Sequence, residues 1–191
     1  MSHRIGTSRI VGATSLILFT AACCPAQESL LSNGDFAHWQ DGAPQGWTVE
    51  VGARNGAESP VSEVKPMVGP ALMMRGDQAT MAWRSVSQDV AVTAGDRYRL
   101  VFEARSKDVR RQGRQYDNCY LGVMSFDARG KRVDMEIEDL SAARTWREFE
   151  LKFAPPANSA KTDVLIFLSK SGTLNLRNLR LEEAISDRPF R

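Results

Sequence analysis

The chain has 191 residues, 42% of them hydrophobic, which is enough for one domain of ordinary size with its own core. Its only lysine or arginine residues before position 27 are Arg4 and Arg9, and no acidic residue lies in that segment. The rest of the chain therefore carries 23 basic and 23 acidic residues. This neutral balance argues against nucleic acid as a partner, because nucleic-acid recognition depends on a basic surface.

Residues 1–26 have the pattern of an export signal. Arg4 and Arg9 come before an apolar stretch, residues 10–20, which is too short to span a bilayer comfortably, and small residues follow it. We expect this segment to be removed and residues 27–191 to form a single domain outside the cytosol, whether secreted or periplasmic.

The end of the signal permits two interpretations. Thr20-Ala21-Ala22-Cys23 is similar to a bacterial lipoprotein box, in which the cysteine is lipidated and becomes the new N-terminus, although Thr20 stands where leucine is usual. The alternative is ordinary cleavage after Ala22 or Ala26. The first interpretation predicts membrane attachment through a lipid on Cys23 and by no other means.

The clearest strand pattern begins at residue 87 and ends at residue 107. Tyr98, Leu100, Phe102 and Ala104 alternate with mostly charged residues, and a period of two is typical of a strand with one buried face. Thr93-Ala94-Gly95-Asp96 supplies a turn, since Gly95 can adopt positive φ without steric cost. We therefore predict a hairpin of two strands with one wet face.

Shorter strands are predicted along the rest of the chain, at residues 48–51, 71–75, 81–90, 118–127, 133–138, 146–153, 163–169 and 172–183. Gly76-Asp77-Gln78 forms a hairpin-like break between two of them. The stretch 163–169 is apolar on both faces, which predicts a central strand covered on each side. About nine or ten strands and no sustained helix predict an all-β fold, a two-sheet antiparallel β-sandwich.

The last predicted strand contains four leucines that do not share one parity. Leu174 and Leu176 alternate with each other, and Leu179 and Leu181 fall on the opposite parity. A one-residue bulge near Arg177 or Asn178 would place all four on one face.

Six segments together resemble the CenC-type carbohydrate-binding modules, and they cover residues 30–184. They are LLSNGDFAHW, GAPQGW, SVSQDVAVTAGDRYRLVFEARSK, YLGVMSFDARG, TWREFELKF and LNLRNLRLEEA. The resemblance implies a jelly roll of the galactose-binding-like superfold, with Trp39, Trp47 and Trp146 in the core. It also implies non-catalytic carbohydrate binding, with a structural or protein-interaction module of the cell envelope as the alternative.

The same resemblance implies a site for structural Ca²⁺ between the N-terminal segment and the last strand. The matching positions are Asp35 and Asn178. Ala37 stands where the family often has glutamate, and Asn178 where aspartate is common, so two of the usual charges are missing.

Catalytic residues are sparse. The chain after residue 26 has a single histidine, His38, and no nucleophile motif or metal-ligand spacing. Asp134, Glu136 and Glu138 form a row of carboxylates, but alternate positions on a strand are the ordinary solvated face. The sequence therefore predicts that the protein is not an enzyme.

Carbohydrate binding needs flat aromatic faces together with polar groups for hydroxyls. Trp83 shares parity with the polar Ser85 and Ser87, so it can serve either as a ligand platform or in edge packing. Tyr116 lies in a polar connection, and Tyr120 lies in a row that can equally belong to the core.

A run of five basic residues, interrupted by one acid, follows the long predicted strand. Its members are Arg105, Lys107, Arg110, Arg111 and Arg114. Guanidinium groups can hold carboxylate or sulfate, so the run can dock an acidic polysaccharide, and the alternative is an ordinary solvated loop. The candidate ligand-binding residues are Trp83, Tyr116, Tyr120, Arg110, Arg111 and Arg114.

Overall fold

The computed structural model describes residues 29–52, 63–76, 83–110, 119–169 and 171–184. In these ranges the regular structure is entirely β-strand. The strands are β1 Trp39–Gln40, β2 Ala43–Pro44, β3 Thr48–Gly52, β4 Glu63–Pro66, β5 Leu72–Arg75, β6 Trp83–Val90, β7 Tyr98–Lys107, β8 Cys119–Phe126, β9 Arg132–Asp139, β10 Arg147–Phe153, β11 Lys161–Ser169 and β12 Thr173–Glu183. The described part of the chain contains no helix long and apolar enough to cross a membrane.

Ten of these strands form two antiparallel sheets of five strands each. Sheet 1 has the order β10-β7-β12-β5-β4, and sheet 2 has the order β3-β6-β11-β8-β9. The two-residue strands β1 and β2 pair only with each other. The predicted two-sheet sandwich is confirmed.

The core lies between the two sheets and is built from the alternating apolar rows. Sheet 1 contributes Leu100 and Phe102 from β7, and sheet 2 contributes Val86 from β6 and Ile166 from β11, all fully buried. Phe36 and Trp47 from the loops close the core near the N-terminus, as the sequence predicted for Trp47. Trp39 is partly buried and packs against the same core.

The predicted bulge in β12 is present. β12 pairs with β7 in one register up to Arg177 and in another from Arg180, and Asn178 has φ 56°. The shift brings all four leucines, Leu174, Leu176, Leu179 and Leu181, into the core. One extra residue thus converts two opposed rows into a single buried row.

Two predicted hairpins are wrong, because their strands belong to different sheets. β6 lies in sheet 2 and β7 in sheet 1, so residues 91–97 cross the sandwich rather than close a hairpin. Gly95 has φ 88°, and its N–H donates to Pro155 O across this crossing. β5 and β6 are likewise in different sheets, whereas β8 and β9 pair with each other as a hairpin in sheet 2.

Gln88 ties the N-terminal segment to the middle of sheet 2. Its Oε1 accepts the N–H of Ser32, and its Nε2 donates to Ser32 O, Ser32 Oγ and Gly46 O at 2.9–3.1 Å. The amide is buried, so these bonds satisfy polar atoms that would otherwise be costly to bury. The segment from residue 29 onward is therefore part of the folded body.

Candidate functional site

The outer face of sheet 2, turned away from the core, carries a row of three aromatic rings. Trp83 on β6, Phe167 on β11 and Tyr120 on β8 share this face, because Phe167 pairs directly with Tyr120 and Trp83 pairs with Ser169 of β11. We call these three residues the aromatic row. The parity argument for Trp83 is confirmed, and Tyr120 also lies on this face rather than in the core between the sheets.

The three rings stack on one another across the strands. The Trp83 and Phe167 ring centroids are 6.1 Å apart, the Phe167 and Tyr120 centroids are 5.1 Å apart, and both pairs are tilted by 21°. Trp83 and Phe167 are half-buried, whereas Tyr120 is only 6% exposed. Burial raises the pKa of Tyr120, so its hydroxyl keeps its proton and remains a donor.

The row occupies one end of sheet 2 and continues to both edge strands. Gly52 of β3 pairs with Trp83 on one side, and Asp139 of β9 pairs with Tyr120 on the other. Ser85, the next residue on this face of β6, pairs with Phe167 and is buried beside it. The row therefore combines apolar ring surface with hydroxyl and carboxylate groups.

An apolar patch adjoins the row toward the middle of the face. Leu165 of β11 pairs with Gly122 of β8, which pairs with Ile137 of β9. Met135 of β9 pairs with Met124 in the same way. Leu165, Ile137 and Met135 are half-buried, so β11 is central in its sheet as predicted but is not covered on its outer side.

The charged end of this face is a cluster of two carboxylates around one ammonium group. Lys161 Nζ lies 2.9 Å from Asp89 Oδ1 and 3.1 Å from each carboxylate oxygen of Asp163. The hydrogen bond from Lys161 lowers the pKa of Asp89, while burial raises the pKa of Asp163. The hydrogen bond to Asp89 in turn raises the pKa of Lys161.

The acidic row of β9 does not join this face. Asp134, Glu136 and Glu138 pair with Ser125, Val123 and Leu121 of β8, so they share the inward parity at the sheet margin. Their alternation with Met135 and Ile137 is as predicted, but it is the apolar residues that lie on the outer face of the sheet. This arrangement keeps the three carboxylates away from the aromatic row.

The basic run is divided between different parts of the molecule. Arg105 and Lys107 belong to β7 and alternate with the buried Ala104, so they lie on the outer face of sheet 1. Arg110 is exposed, and its backbone N–H donates to Ser171 Oγ at 3.2 Å. Arg111, Arg114 and Tyr116 lie outside the described residues, as does Cys23.

The outer face of sheet 1 is occupied by paired charges, and we call it the charged face. Arg177 Nη2 lies 2.6 Å from Glu103 Oε2, and Arg99 Nε lies 2.8 Å from Glu182 Oε2. The expectation that Trp146 is a core residue is wrong. Its ring is half-buried outside the core, where the Arg177 Cζ lies 4.4 Å from the ring centroid.

Asp35 and Asn178, the residues at the expected calcium position, line one cavity of about 500 Å³ with Glu103. Asn178 Nδ2 donates to Glu103 Oε1 at 2.7 Å, and Asp35 Oδ1 accepts the N–H of Ala37. The hydrogen bond from Arg177, followed by the hydrogen bond from Asn178, lowers the pKa of Glu103, and the Arg177 guanidinium balances the negative charge of this carboxylate. The described residues include no group of three or more His, Cys, Asp or Glu side chains placed to hold a metal ion, and the calcium site stays a prediction.

Comparison with known proteins finds the fold but no family. No protein-family model matches the sequence, and no curated protein matches it. The solved structure of TmCBM61 in complex with β-1,4-galactotriose is similar to this chain, with 13% identity and a TM-score of 0.51 over 82% of this chain and 99% of that one.

Two larger proteins contain a similar domain. The enzymatically active domain of bacteriophage CBA120 tailspike protein 4 has 14% identity and a TM-score of 0.61 over 81% of this chain, and the arabinose-bound α-L-arabinofuranosidase MgGH51 has 12% and 0.55 over 82%. This chain spans only 21% and 26% of those chains. At these identities the comparisons show the jelly-roll sandwich fold.

Sequence reasoning missed Phe167, the central ring of the row. Because residues 163–169 are apolar on both faces, the sequence predicts a strand covered on each side and gives no reason to place Phe167 in a site. Trp83 and Tyr120 were both named, but their shared face depends on β11 lying between β6 and β8, which no local pattern shows. The signal was an apolar outward row on a strand between two other strands with aromatic residues.

Proposed function

We propose that this protein is an exported, non-catalytic carbohydrate-binding module of CenC type that binds a polysaccharide on the outer face of sheet 2. The observation that carries the proposal is the aromatic row of Trp83, Phe167 and Tyr120, which crosses the middle strands on the outer face of sheet 2 and leaves Trp83 and Phe167 partly exposed. Half-exposed aromatic rings beside polar side chains are the two components that recognition of a sugar requires.

The chemistry follows from the two kinds of surface. The C–H face of a pyranose ring packs on the apolar surface of Trp83 and Phe167, while its hydroxyls exchange hydrogen bonds with Asp139 and the Tyr120 hydroxyl. From Gly52 to Asp139 the row crosses five strands, a span of about 19 Å at the usual spacing between strands. A span of this length suits an oligosaccharide segment rather than one sugar.

The similar structures support the proposal at the level of fold. TmCBM61 shares the sandwich over its whole length, and its structure holds β-1,4-galactotriose. A shared fold does not determine the ligand, so the aromatic row rather than the likeness is the basis for the site.

The charge of the ligand depends on which groups reach it. An acidic polysaccharide would need free cations, but Lys161 is held by Asp89 and Asp163, and Arg105 lies on the charged face. Among the described residues of the predicted basic run, Lys107 and Arg110 are exposed, and Lys107 lies on the outer face of sheet 1. An acidic ligand would therefore depend on Arg110, Arg111 and Arg114.

The test is a binding screen of the purified protein against neutral and acidic polysaccharides, with Trp83→Ala as the matched variant. We expect at least one polysaccharide to bind, longer oligosaccharides to bind more tightly, and Trp83→Ala to weaken binding by roughly 30-fold, the effect of losing an aromatic anchor worth about 2 kcal/mol. Salt-sensitive preference for an acidic polymer would assign the basic residues to the site. Absence of binding throughout the screen would favour the envelope structural module instead.

Export and lipidation are tested separately. We propose that residues 1–26 direct export and that Cys23 carries the lipid anchor. Cell fractionation of wild type and Cys23→Ala checks this, since the variant should move from the membrane to the soluble fraction outside the cytosol. Wild-type protein that is soluble from the start would instead indicate ordinary signal cleavage.

A further inference from the structure

Gly52 lies next to the aromatic row, and the indole ring of Trp83 occupies the space where a side chain at position 52 would be. It is the last residue of β3, the edge strand of sheet 2, and it pairs directly with Trp83. A Cβ at position 52 would overlap the indole ring, lying 2.5 Å from both Nε1 and Cζ2. Real Cβ atoms do not approach other heavy atoms this closely, so the ring and a side chain at 52 cannot coexist in this arrangement.

The backbone gives no separate reason for glycine at this position. Gly52 is absent from the glycines with positive φ, so another residue could adopt its backbone conformation. Glycine within a strand costs stability compared with residues that favour strands, and it often marks a close approach by another group. Here the approaching group is the indole of Trp83.

On this basis we infer that Gly52 is a positioning residue of the carbohydrate site, which holds the Trp83 ring over the edge strand and against Phe167. The expected effect of Gly52 on glycan binding rests on the proposed function. The effect of Gly52 on the position of the Trp83 ring is independent of the proposed function. A methyl group at position 52 pushes the indole away from its stacked place beside Phe167 or upward from the sheet. The aromatic row then loses its alignment at the β3 edge, and a glycan crossing the strands loses its contact there.

The first test is Gly52→Ala in the full protein, followed through the indole N–H resonances in a ¹H–¹⁵N NMR spectrum. Comparison with Trp83→Ala identifies the resonance of Trp83. We expect that resonance to shift in Gly52→Ala, while the resonance of Trp47, on the far side of the sheet, stays in place. The matched control is Val51→Ala, because Val51 is the exposed neighbour on the same strand, and it should leave the Trp83 resonance unchanged.

The second test is a double-mutant cycle on affinity for a polysaccharide identified in the screen. We expect Gly52→Ala to weaken binding about 10-fold in the wild-type background and less than 2-fold in the Trp83→Ala background, since coupled residues are not additive. An effect of equal size in both backgrounds would overturn the inference, because Gly52 would then act independently of the indole.

The outcomes separate this inference from the proposed function. An unmoved Trp83 resonance in Gly52→Ala overturns the positioning role, even if the wild-type protein binds a polysaccharide. A shifted resonance in a protein that binds none of the polysaccharides confirms that Gly52 places the ring and overturns the proposed function. If Gly52→Ala fails to fold, the same substitution is made in a Trp83→Leu background. A recovered fold then identifies the indole as the source of the clash, and a double variant that still fails to fold overturns the positioning role.

Discussion

The two outer faces of the sandwich obey the same strand alternation but satisfy their side chains in opposite ways. On the charged face, Glu103 is bonded by Arg177 and Asn178, and Trp146 is covered by guanidinium groups. On the outer face of sheet 2, the ring contacts of Trp83 and Phe167 among the described residues are with one another and with Tyr120, and both rings keep part of their surface accessible. One face is closed by its own interactions, and the other leaves apolar surface available for a partner.

The difference teaches that exposed aromatic residues are not equivalent evidence of a binding site. Trp146 and Trp83 are both half-buried on outer faces. Trp146 carries the Arg177 Cζ at 4.4 Å and the Arg105 Cζ at 4.9 Å, so two cations already cover it. The side chains around each ring, rather than the exposed fraction of the ring, distinguish an aromatic residue that can bind a ligand from one that packs against neighbouring side chains.

The largest expected effect is on polysaccharide affinity. It should follow the loss of an aromatic ring from the outer face of sheet 2 and be absent when a ring is removed from the charged face. We expect Phe167→Ala to weaken polysaccharide binding by 30-fold or more, about 2 kcal/mol, because Phe167 supports both Trp83 and Tyr120. Trp146→Ala should leave the affinity within 2-fold of wild type, as measured by calorimetry. Equal losses in the two variants would show that the faces do not differ in function.

The charged cluster on the aromatic side gives an intermediate effect. Lys161→Met leaves Asp89 and Asp163 side by side without their shared cation, and we expect a loss of about 1 kcal/mol in the free energy of unfolding at pH 7. The two carboxyl groups then repel one another, which raises the folded-state pKa of Asp163 further and raises that of Asp89 from its lowered value. A raised carboxyl pKa favours the folded state as pH falls, so part of the loss should return at pH 5.

Urea unfolding at the two pH values measures this effect. The control is Lys152→Met on the charged face, a lysine of similar exposure near Glu150, which should change stability by less than about 0.5 kcal/mol. If Lys161→Met loses the same free energy of unfolding relative to wild type at both pH values, the electrostatic explanation is contradicted.

The smallest expected effect is the acid dependence of the charged face. The pKa of Glu103 is lowered in the folded state, first by the hydrogen bond from Arg177 and next by that from Asn178. Its stabilisation is therefore present above its ordinary pKa of 4.5 and is lost as pH falls through the lowered folded value. The group is partly exposed, so we expect less than about 1 kcal/mol.

Glu103→Gln tests this acid dependence. The variant should be less stable than wild type at pH 6, and the two stability curves should converge as the pH falls below 4. Binding of polysaccharide should be unchanged in Glu103→Gln at pH 6, because Glu103 lies on the opposite sheet from the aromatic row. Curves that stay parallel throughout the titration would remove Glu103 from the acid response.

Local pattern predicted the individual strands well and their partners poorly. The alternation of Tyr98, Leu100 and Phe102 identified β7, and the four leucines of β12 even identified its bulge. Two consecutive strands show the same alternation whether they pair in one sheet or face each other across the core. The alternation therefore could not show that β6 and β7 lie in different sheets, and the predicted hairpin was wrong. Partner choice depends on contacts between distant segments, which a local period does not record.

The site was predicted in parts for the same reason. Trp83 and Tyr120 were identifiable because polar or ambiguous neighbours marked their rows. Phe167 was not, since apolar residues on both faces of β11 are equally compatible with full burial. Trp146 was assigned to the core through the family resemblance, and only the position of Arg105 and Arg177 around it shows why an aromatic residue is stable outside the core.

The hydrogen bonds of Gln88 to the N-terminal segment limit how far the domain could lie from a membrane. Because its four hydrogen bonds fix Ser32 and Gly46 to sheet 2, the folded body begins near residue 29. A lipid on Cys23 would then be joined to the body by six residues, which reach at most about 21 Å when fully extended. Such a short connection would keep the outer face of sheet 2 close to the lipid surface. A lipidated protein would then meet only those polysaccharides that come near the membrane.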